Sequence, residues 1–217
     1  MRNKLRLHGA AYFCRVLVKI GLMKNCVYLL LSVCLLQACS SPVYKYPHVV
    51  IQTEAGDIEI ELYTDKAPKT ASSFLSNVEA GYYKHSNFYR VLTDFNQPSD
   101  APKANLIQGG IWKTDYKRAT TLPGIPHEPT NATGILHKDG IISLARSDPG
   151  TATTEFFICI GDQPGFDFGG DNNPDKLGYA AFGKVVKGMN IVDRIYNRHA
   201  YGEAFDPPVN IINIVKL

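Results

Sequence analysis

One segment of the sequence has the glycine and lysine spacing of a phosphate-binding loop. Gly178, Gly183 and Lys184 fit the pattern G-x4-G-K, in which backbone N–H groups and the lysine hold phosphate oxygens. Val185, however, stands where such a loop needs a serine or threonine hydroxyl for the metal ion. The segment also lies in a strand-like apolar run and does not begin a helix. We therefore expect no bound nucleotide.

A second segment, Asp171–Asp175, has the acidity of a calcium loop. Such a loop needs glycine at its sixth position and glutamate at its twelfth, where this chain has Lys176 and Phe182. The histidines of residues 48–217 also lack the spacing of metal ligands. We expect no metal and no cofactor.

The cysteines divide between the two ends of the chain. Three lie before residue 38, a fourth is Cys39, and only Cys159 belongs to the remainder. Cys159 follows Phe156 and Phe157 in an apolar run, where cysteine usually behaves as a small core residue. We therefore predict a buried thiol, without a disulfide and without a nucleophilic role.

The spacing of apolar residues predicts the elements that carry these groups. Apolar and acidic side chains alternate between positions 57 and 62, which indicates a half-buried strand, paired through the Gly56 turn with the run at 49–53. Helical periodicity follows Pro68 and ends near Gly81, and it returns over 189–196. The other apolar runs are short, strand-like and joined by turn residues, which favours a sandwich or a closed barrel.

Five of these segments resemble the motifs of cyclophilins, and they occur in the order of that family. They are Phe88-Tyr-Arg-Val91, the Ile107-Gln-Gly-Gly110 turn, Gly140-Ile-Ile-Ser-Leu-Ala145, Glu155-Phe-Phe-Ile158 and Phe182-Gly-Lys-Val185. The resemblance covers Val49 to Leu217. It implies a mainly β fold, a closed eight-stranded antiparallel β-barrel capped by two α-helices, with the active groove on its outer face. It also implies peptidyl-prolyl cis/trans isomerase activity on proline-containing polypeptides.

Isomerisation of an X-Pro bond makes and breaks no bond to carbon, so neither a nucleophile nor a cofactor is required. The barrier of about 18–20 kcal/mol comes from amide resonance, and a fixed cation beside the proline nitrogen would stabilise the twisted state. Arginine suits this role because it stays charged and has a rigid fork of donors. The family motif implies that Arg90 is this residue. The alternative is a surface arginine paired with an acid.

The same resemblance implies the residues that bind substrate. Phe157 would form the floor of the proline pocket and Leu106 a wall, although ordinary core packing is the alternative for both. Gln108 would bond to the carbonyl side of the substrate. Ala145 and Arg146 would line the neighbouring groove.

Several positions depart from the family pattern. The segment between Arg90 and Gln108 is about ten residues longer than in the family, and Asn105 replaces a pocket phenylalanine, unless Phe95 from the inserted loop folds back in its place. Glu155 replaces a glutamine and is expected to pair with Arg90 or Arg146. The remaining substitutions are Arg146 for asparagine and Tyr179 for histidine. The usual groove tryptophan is absent, and Phe168 lies roughly where the partner residues of that tryptophan are expected to bind substrate. Besides an enzyme, these changes leave open a module that binds proline-containing segments without useful turnover.

Residues 1–38 read as a secretion signal. They carry six basic and no acidic side chains, so the net charge of +3 becomes −3 for the rest, with 17 basic and 20 acidic residues. This argues against a nucleic-acid partner. The apolar run Val27–Leu36 is too short to span about 30 Å of hydrocarbon.

The end of this signal, Leu36-Gln-Ala-Cys39, resembles the lipobox of bacterial lipoproteins, with a plain signal peptide as the alternative. We predict lipidation at Cys39, a tether over 39–47, a catalytic domain over 48–217, and a monomer anchored to a membrane of the cell envelope, facing the periplasm or the outside. Translation starting at Met1 and at Met23 both fit.

Overall fold

The computed structural model describes residues 44–217. The predicted signal segment and Cys39 lie outside this range. Among residues 44–217, no helix is both long enough and apolar enough to cross a bilayer.

Nine antiparallel strands form one sheet in the described part of the chain, and eight of them close into a barrel. In the order β1-β2-β7-β5-β6-β4-β3-β9, each strand bonds to the next, and β9 pairs back with β1. The two-residue β8 extends β9 as a short hairpin. The predicted barrel is confirmed. The strands are β1 His48–Thr53, β2 Gly56–Leu62, β3 Ser86–Leu92, β4 Leu106–Gly110, β5 Ile141–Leu144, β6 Phe156–Cys159, β7 Ala180–Lys187, β8 Ala200–Tyr201 and β9 Ala204–Lys216.

The two predicted helices are present as α1 Pro68–Glu79 and α4 Met189–Tyr196, and two short helices, α2 Tyr116–Thr121 and α3 Thr130–Thr133, accompany them. Proline is tolerated at the start of α1 because that N–H has no partner within the helix. Glu128 caps this end, since its carboxylate accepts bonds from the Thr70 N–H and hydroxyl, both 2.7 Å. Phe74 of α1 packs on Phe156 and Phe182 in the barrel interior.

Alternation along each strand separates an inner from an outer apolar cluster. In β6, Phe156 and Ile158 belong to the barrel core. Phe157 and Cys159 point the other way and belong to a smaller outer cluster. Cys159 is fully buried there, which confirms the prediction of a buried thiol. Successive side chains of a strand face opposite sides of a sheet, so β6 supplies both clusters.

The residues before β1 pack on the barrel. The Tyr44 ring stacks on the ring of His48, the first residue of β1, with 3.8 Å between centroids. Tyr46 donates a hydrogen bond to Asp65, 2.8 Å, and lies edge-on against Tyr63. The chain is therefore ordered on the barrel surface from Tyr44 onward.

Candidate active site

Three of the predicted site residues lie in one row across the outer face of the barrel. Arg90 of β3 is paired with Gln108 of β4, and Gln108 is paired with Phe157 of β6. The neighbouring row contains Leu92, Leu106 and Cys159. Because residues two apart share a face, a polar pair adjoins an apolar patch. The Gln-Gly-Gly segment that provides Gln108 is strand β4, so its description as a turn was wrong.

A β-bulge determines how β3 presents its side chains. The pairing of β3 with β4 shifts between Phe88 and Arg90, which leaves Tyr89 as an extra residue. A bulge of this kind places two consecutive side chains on nearly the same side. Tyr89 and Arg90 therefore both reach Gln108, at 2.8 and 3.0 Å.

The Arg90 guanidinium is held from two sides. Its Nε and Nη2 donate to Glu203 Oε2 at 2.9 and 2.7 Å, and its Nη1 donates to Gln108 Oε1 at 3.0 Å. The Arg90 side chain remains 39% exposed. Glu203 lies between β8 and β9, 113 residues along the chain from Arg90, and no pattern in the sequence indicates this contact.

The outer apolar cluster forms the other half of the site. Phe157 lies against Phe166 and Tyr179, with ring centroids 5.1 and 5.2 Å away. The expectation for Phe168 is corrected, because its side chain is 46% exposed and lies outside this cluster. Phe166, two residues earlier in a short 3-10 turn, is buried there instead. The cluster consists of Leu92, Ala104, Leu106, Phe157, Cys159 and Phe166, with Ala145 and Tyr179 at its edge.

A buried polar chain supports Phe157. The ring of His137 lies nearly parallel to that of Phe157, 6.0 Å away. His137 Nδ1 contacts Asp167 Oδ1 at 2.8 Å, and its Nε2 contacts Ser143 Oγ at 3.0 Å. Asp, His and Ser in this order resemble a hydrolase relay, but Ser143 is completely buried and cannot meet a substrate. The three hydrogen-bonded residues hold His137 against the Phe157 ring.

A groove of about 790 Å³ continues from Arg90 and Gln108, and Ala145 and Arg146 are among its lining residues. Arg146 is mostly enclosed, with a side chain only 1% exposed. It donates to both oxygens of Asp175 and to the Gly178 carbonyl, at 2.6 to 3.0 Å. Its guanidinium also lies 5.5 Å from the centre of the Tyr179 ring.

Glu155 pairs with neither arginine, so that expectation was wrong. Its carboxylate is buried and accepts hydrogen bonds from the Tyr89 hydroxyl and from the backbone N–H groups of Ile111 and Trp112. Those donors satisfy its oxygens, while Arg90 and Arg146 find Glu203 and Asp175 instead. Burial raises the pKa of Glu155, and these hydrogen bonds oppose that shift.

Phe95 of the inserted loop does not reach the apolar cluster. Phe95 is 98% exposed, so its expected return into the groove is not observed. Asn105 bonds to Asp94 and to the Tyr196 hydroxyl, whereas its neighbours Ala104 and Leu106 contribute to the apolar cluster. An amide at position 105 therefore does not interrupt the apolar wall. Asn96 ties the loop to the β8–β9 turn through the Gly202 carbonyl, 3.0 Å.

Residues 44–217 contain no cluster of histidine, cysteine, aspartate or glutamate side chains that could hold a metal. The site brings together one cation, one amide and an apolar cluster in which Phe157 and Leu106 are almost fully buried. Such a set can grip an apolar ring and place a positive charge beside it.

Residues 48–216 match the family model described as cyclophilin type peptidyl-prolyl cis-trans isomerase/CLD. A peptidyl-prolyl cis-trans isomerase of Acinetobacter baylyi is 37% identical over 172 residues, which cover 78% of this chain and 83% of that protein. Peptidyl-prolyl cis-trans isomerase A of Dickeya dadantii is 38% identical, with 68% of this chain and 70% of that protein covered. Peptidyl-prolyl cis-trans isomerase B of Escherichia coli is 34% identical, with coverage of 68% and 82%.

Solved structures share the same fold. A cyclophilin type peptidyl-prolyl cis-trans isomerase of Cryptosporidium parvum superimposes with a TM-score of 0.61 at 23% identity, over 79% of this chain and 98% of that one. A structure of it in the presence of the dipeptide Ala-Pro gives a TM-score of 0.59 at 24% identity, over 77% and 97%.

Proposed function

Because the chain belongs to the cyclophilin-type peptidyl-prolyl cis-trans isomerase family, we propose that Arg90 is the catalytic residue of its isomerase activity. The chain is a peptidyl-prolyl cis-trans isomerase that acts on proline-containing peptides. One observation carries the assignment of Arg90. Within residues 44–217, Arg90 is the only cation in the row of paired residues that leads through Gln108 to Phe157 of the apolar cluster.

The chemistry follows from the electronic change during rotation. As the amide twists, the proline nitrogen loses conjugation and regains a lone pair. A cationic donor beside it binds this state better than either planar state, which is the condition for catalysis. Water must reorganise to stabilise the twisted amide, whereas a guanidinium already held in place need not. The gain in rate therefore depends on how firmly the guanidinium is held. Glu203 and Gln108 provide that support.

The substrate is held by the two halves of the site. The pyrrolidine ring packs against the apolar cluster that contains Phe157 and Leu106, where its burial supplies binding energy. Gln108 uses one N–H of its amide for the Tyr89 hydroxyl, and the second N–H is available to a substrate carbonyl. Ala145 lines the groove for the flanking backbone.

Isomerisation of a proline tetrapeptide by the wild type and by Arg90→Ala tests this assignment. We expect kcat/KM to fall by about 10²–10³, as for loss of one preorganised donor in other enzymes. Equal rates in the two proteins would remove Arg90 from catalysis. Thermal unfolding of both proteins controls for a folding defect.

The cellular setting is part of the same proposal. The enzyme is a monomer that assists folding of exported proteins, anchored to a membrane of the cell envelope through a lipid on Cys39. The signal-like residues 1–38 and the lipobox-like sequence that ends at Cys39 support it. Labelled palmitate should be incorporated into the wild type and not into Cys39→Ala. Equal labelling of the two would contradict the anchor.

A further inference from the structure

An unbroken hydrogen-bond chain leads from a buried carboxylate to Arg90. The Tyr89 hydroxyl donates to Glu155 Oε2 at 2.8 Å, Gln108 Nε2 donates to the same hydroxyl at 2.8 Å, and Arg90 Nη1 donates to Gln108 Oε1 at 3.0 Å. The bulge in β3 makes the chain possible because it places Tyr89 beside Arg90.

The two ends of the chain decide its direction. An ionised carboxylate can only accept hydrogen bonds and a guanidinium can only donate them, whereas a phenol hydroxyl and an amide can do either. The Tyr89 proton must therefore point to Glu155. Its oxygen then accepts from the Gln108 NH₂ group, and this leaves the Gln108 oxygen facing Arg90.

Glu155 is built into its position more firmly than this single contact requires. Its Oε1 accepts from the N–H groups of Ile111 and Trp112 at 2.8 and 3.0 Å and from the Thr154 hydroxyl at 3.0 Å. Gly110 leaves room for it, since a Cβ there would lie 2.5 Å from the carboxylate. Every hydrogen-bond partner of this carboxyl in the described chain is a donor, which favours its ionised form.

We propose that Glu155 is a positioning residue of the isomerase, which acts through Tyr89 to keep the Gln108 oxygen turned toward Arg90. The inference rests on the proposed catalytic role of Arg90. It assigns a task to the carboxylate beyond its place in the fold.

The isosteric variant Glu155→Gln should reverse the chain. The three donors at Oε1 hold the new amide oxygen there, so its NH₂ group faces the Tyr89 oxygen. The Tyr89 proton must then turn to Gln108. The Gln108 oxygen must then turn to accept the Tyr89 proton. This rotation points the Gln108 NH₂ group at the donors of Arg90, and their repulsion displaces the guanidinium.

The test compares kcat and KM for Glu155→Gln, Tyr89→Phe and the double variant. For Glu155→Gln we expect kcat to fall about tenfold with little change in KM, since a charge-assisted hydrogen bond is lost. For Tyr89→Phe we expect about a threefold fall, because the amide keeps its direction from Arg90 alone. The double variant should recover to the level of Tyr89→Phe, because no phenol remains to transmit the reversal. A double variant slower than Glu155→Gln would overturn the proposal.

Tyr83→Phe is the matched control. Tyr83 is a buried phenol close to Glu155, but it donates to the Thr154 carbonyl at 3.0 Å and lies outside the chain. Its loss should lower stability and leave kcat unchanged. Full activity in Glu155→Gln with loss of activity in Arg90→Ala would overturn this inference alone, whereas an active Arg90→Ala would overturn the proposed function.

Tyr89→Phe carries the test by itself if Glu155→Gln does not fold. Nitrogen-15 NMR should then show faster hydrogen exchange at the Gln108 side-chain amide, together with the lower kcat. An unchanged kcat and unchanged exchange would contradict the hydrogen-bond chain.

Discussion

Two arginines line the same groove and are held in opposite ways. The Arg146 side chain is 1% exposed, and Asp175 and two backbone carbonyls take up its donors. Arg90 is 39% exposed and is fixed by Glu203 at one end of its guanidinium and by Gln108 at the other. The hydrogen bond from Arg146 lowers the pKa of Asp175. Arg146 thus stabilises the loop that carries Tyr179, while the Arg90 side chain stays partly exposed.

Charge alone does not distinguish Arg90, the proposed catalytic residue, from Arg146. Glu203 and Gln108 fix the plane of the Arg90 guanidinium without occupying all of its N–H donors. A fully satisfied guanidinium would gain little from a twisted amide, because its donors are already used.

Arg90→Lys should give the largest effect on this comparison. A lysine keeps the charge but loses the fork that spans Glu203 and Gln108. We expect kcat/KM to fall about tenfold or more, with urea unfolding close to that of the wild type. A lysine variant with full activity would show that orientation of the cation is unimportant.

Arg146→Lys should change stability more than activity. A single ammonium nitrogen cannot reproduce the forked contact with both Asp175 oxygens while also reaching the Gly178 carbonyl, and the planar contact with Tyr179 is lost. We expect the free energy of unfolding in urea to fall by about 1–3 kcal/mol. The comparison breaks down if this variant loses more kcat/KM than Arg90→Lys.

Variants of Glu203 can separate the effect of its hydrogen bonds from the effect of its negative charge. Both of its bonds to Arg90 use the single oxygen Oε2. Glu203→Gln keeps an oxygen for them and removes the negative charge, so kcat should equal or exceed that of the wild type by up to about threefold. Glu203→Ala removes the support, and kcat should fall about threefold to tenfold. Identical losses in both variants would mean that the charge itself is needed.

The smallest expected effect is the pH dependence of stability due to Glu155. Burial raises its pKa in the folded state, so its contribution to stability is present below the unfolded pKa and is lost as pH rises through the folded pKa. Relative to Glu155→Gln, the wild type should therefore lose stability between acidic and neutral pH. Urea unfolding of both proteins across this range measures it, and a wild type that gains stability relative to Glu155→Gln as pH rises would contradict the shift.

Local patterns predicted the fold well. The alternation at 57–62 became β2, paired with β1, and helical spacing located α1 and α4. These predictions are correct because a strand or helix buries one face, and the apolar residues of that face recur with a fixed period along the sequence.

Contacts between distant segments were less accessible. Glu203 meets Arg90 through the closure of β9 on β3, and nothing in the neighbouring sequence encodes it. The choice of Phe166 over Phe168 depends on the 3-10 turn that begins at Pro164. The predicted pairing of Glu155 with Arg90 or Arg146 is wrong because its carboxylate is bonded to the Tyr89 and Thr154 hydroxyls and to two backbone N–H groups. No residue type reveals the backbone donors.

The stacking of Tyr44 on His48 limits how far the enzyme can travel from its proposed anchor. Between Cys39 and Tyr44 the chain contains only residues 40–43, a distance of at most about 18 Å when fully extended. This is much shorter than the reach of a long flexible stalk. With the proposed lipid on Cys39, the barrel would stay in a thin layer next to the lipid headgroups. Its substrates would then be polypeptides that pass through that layer.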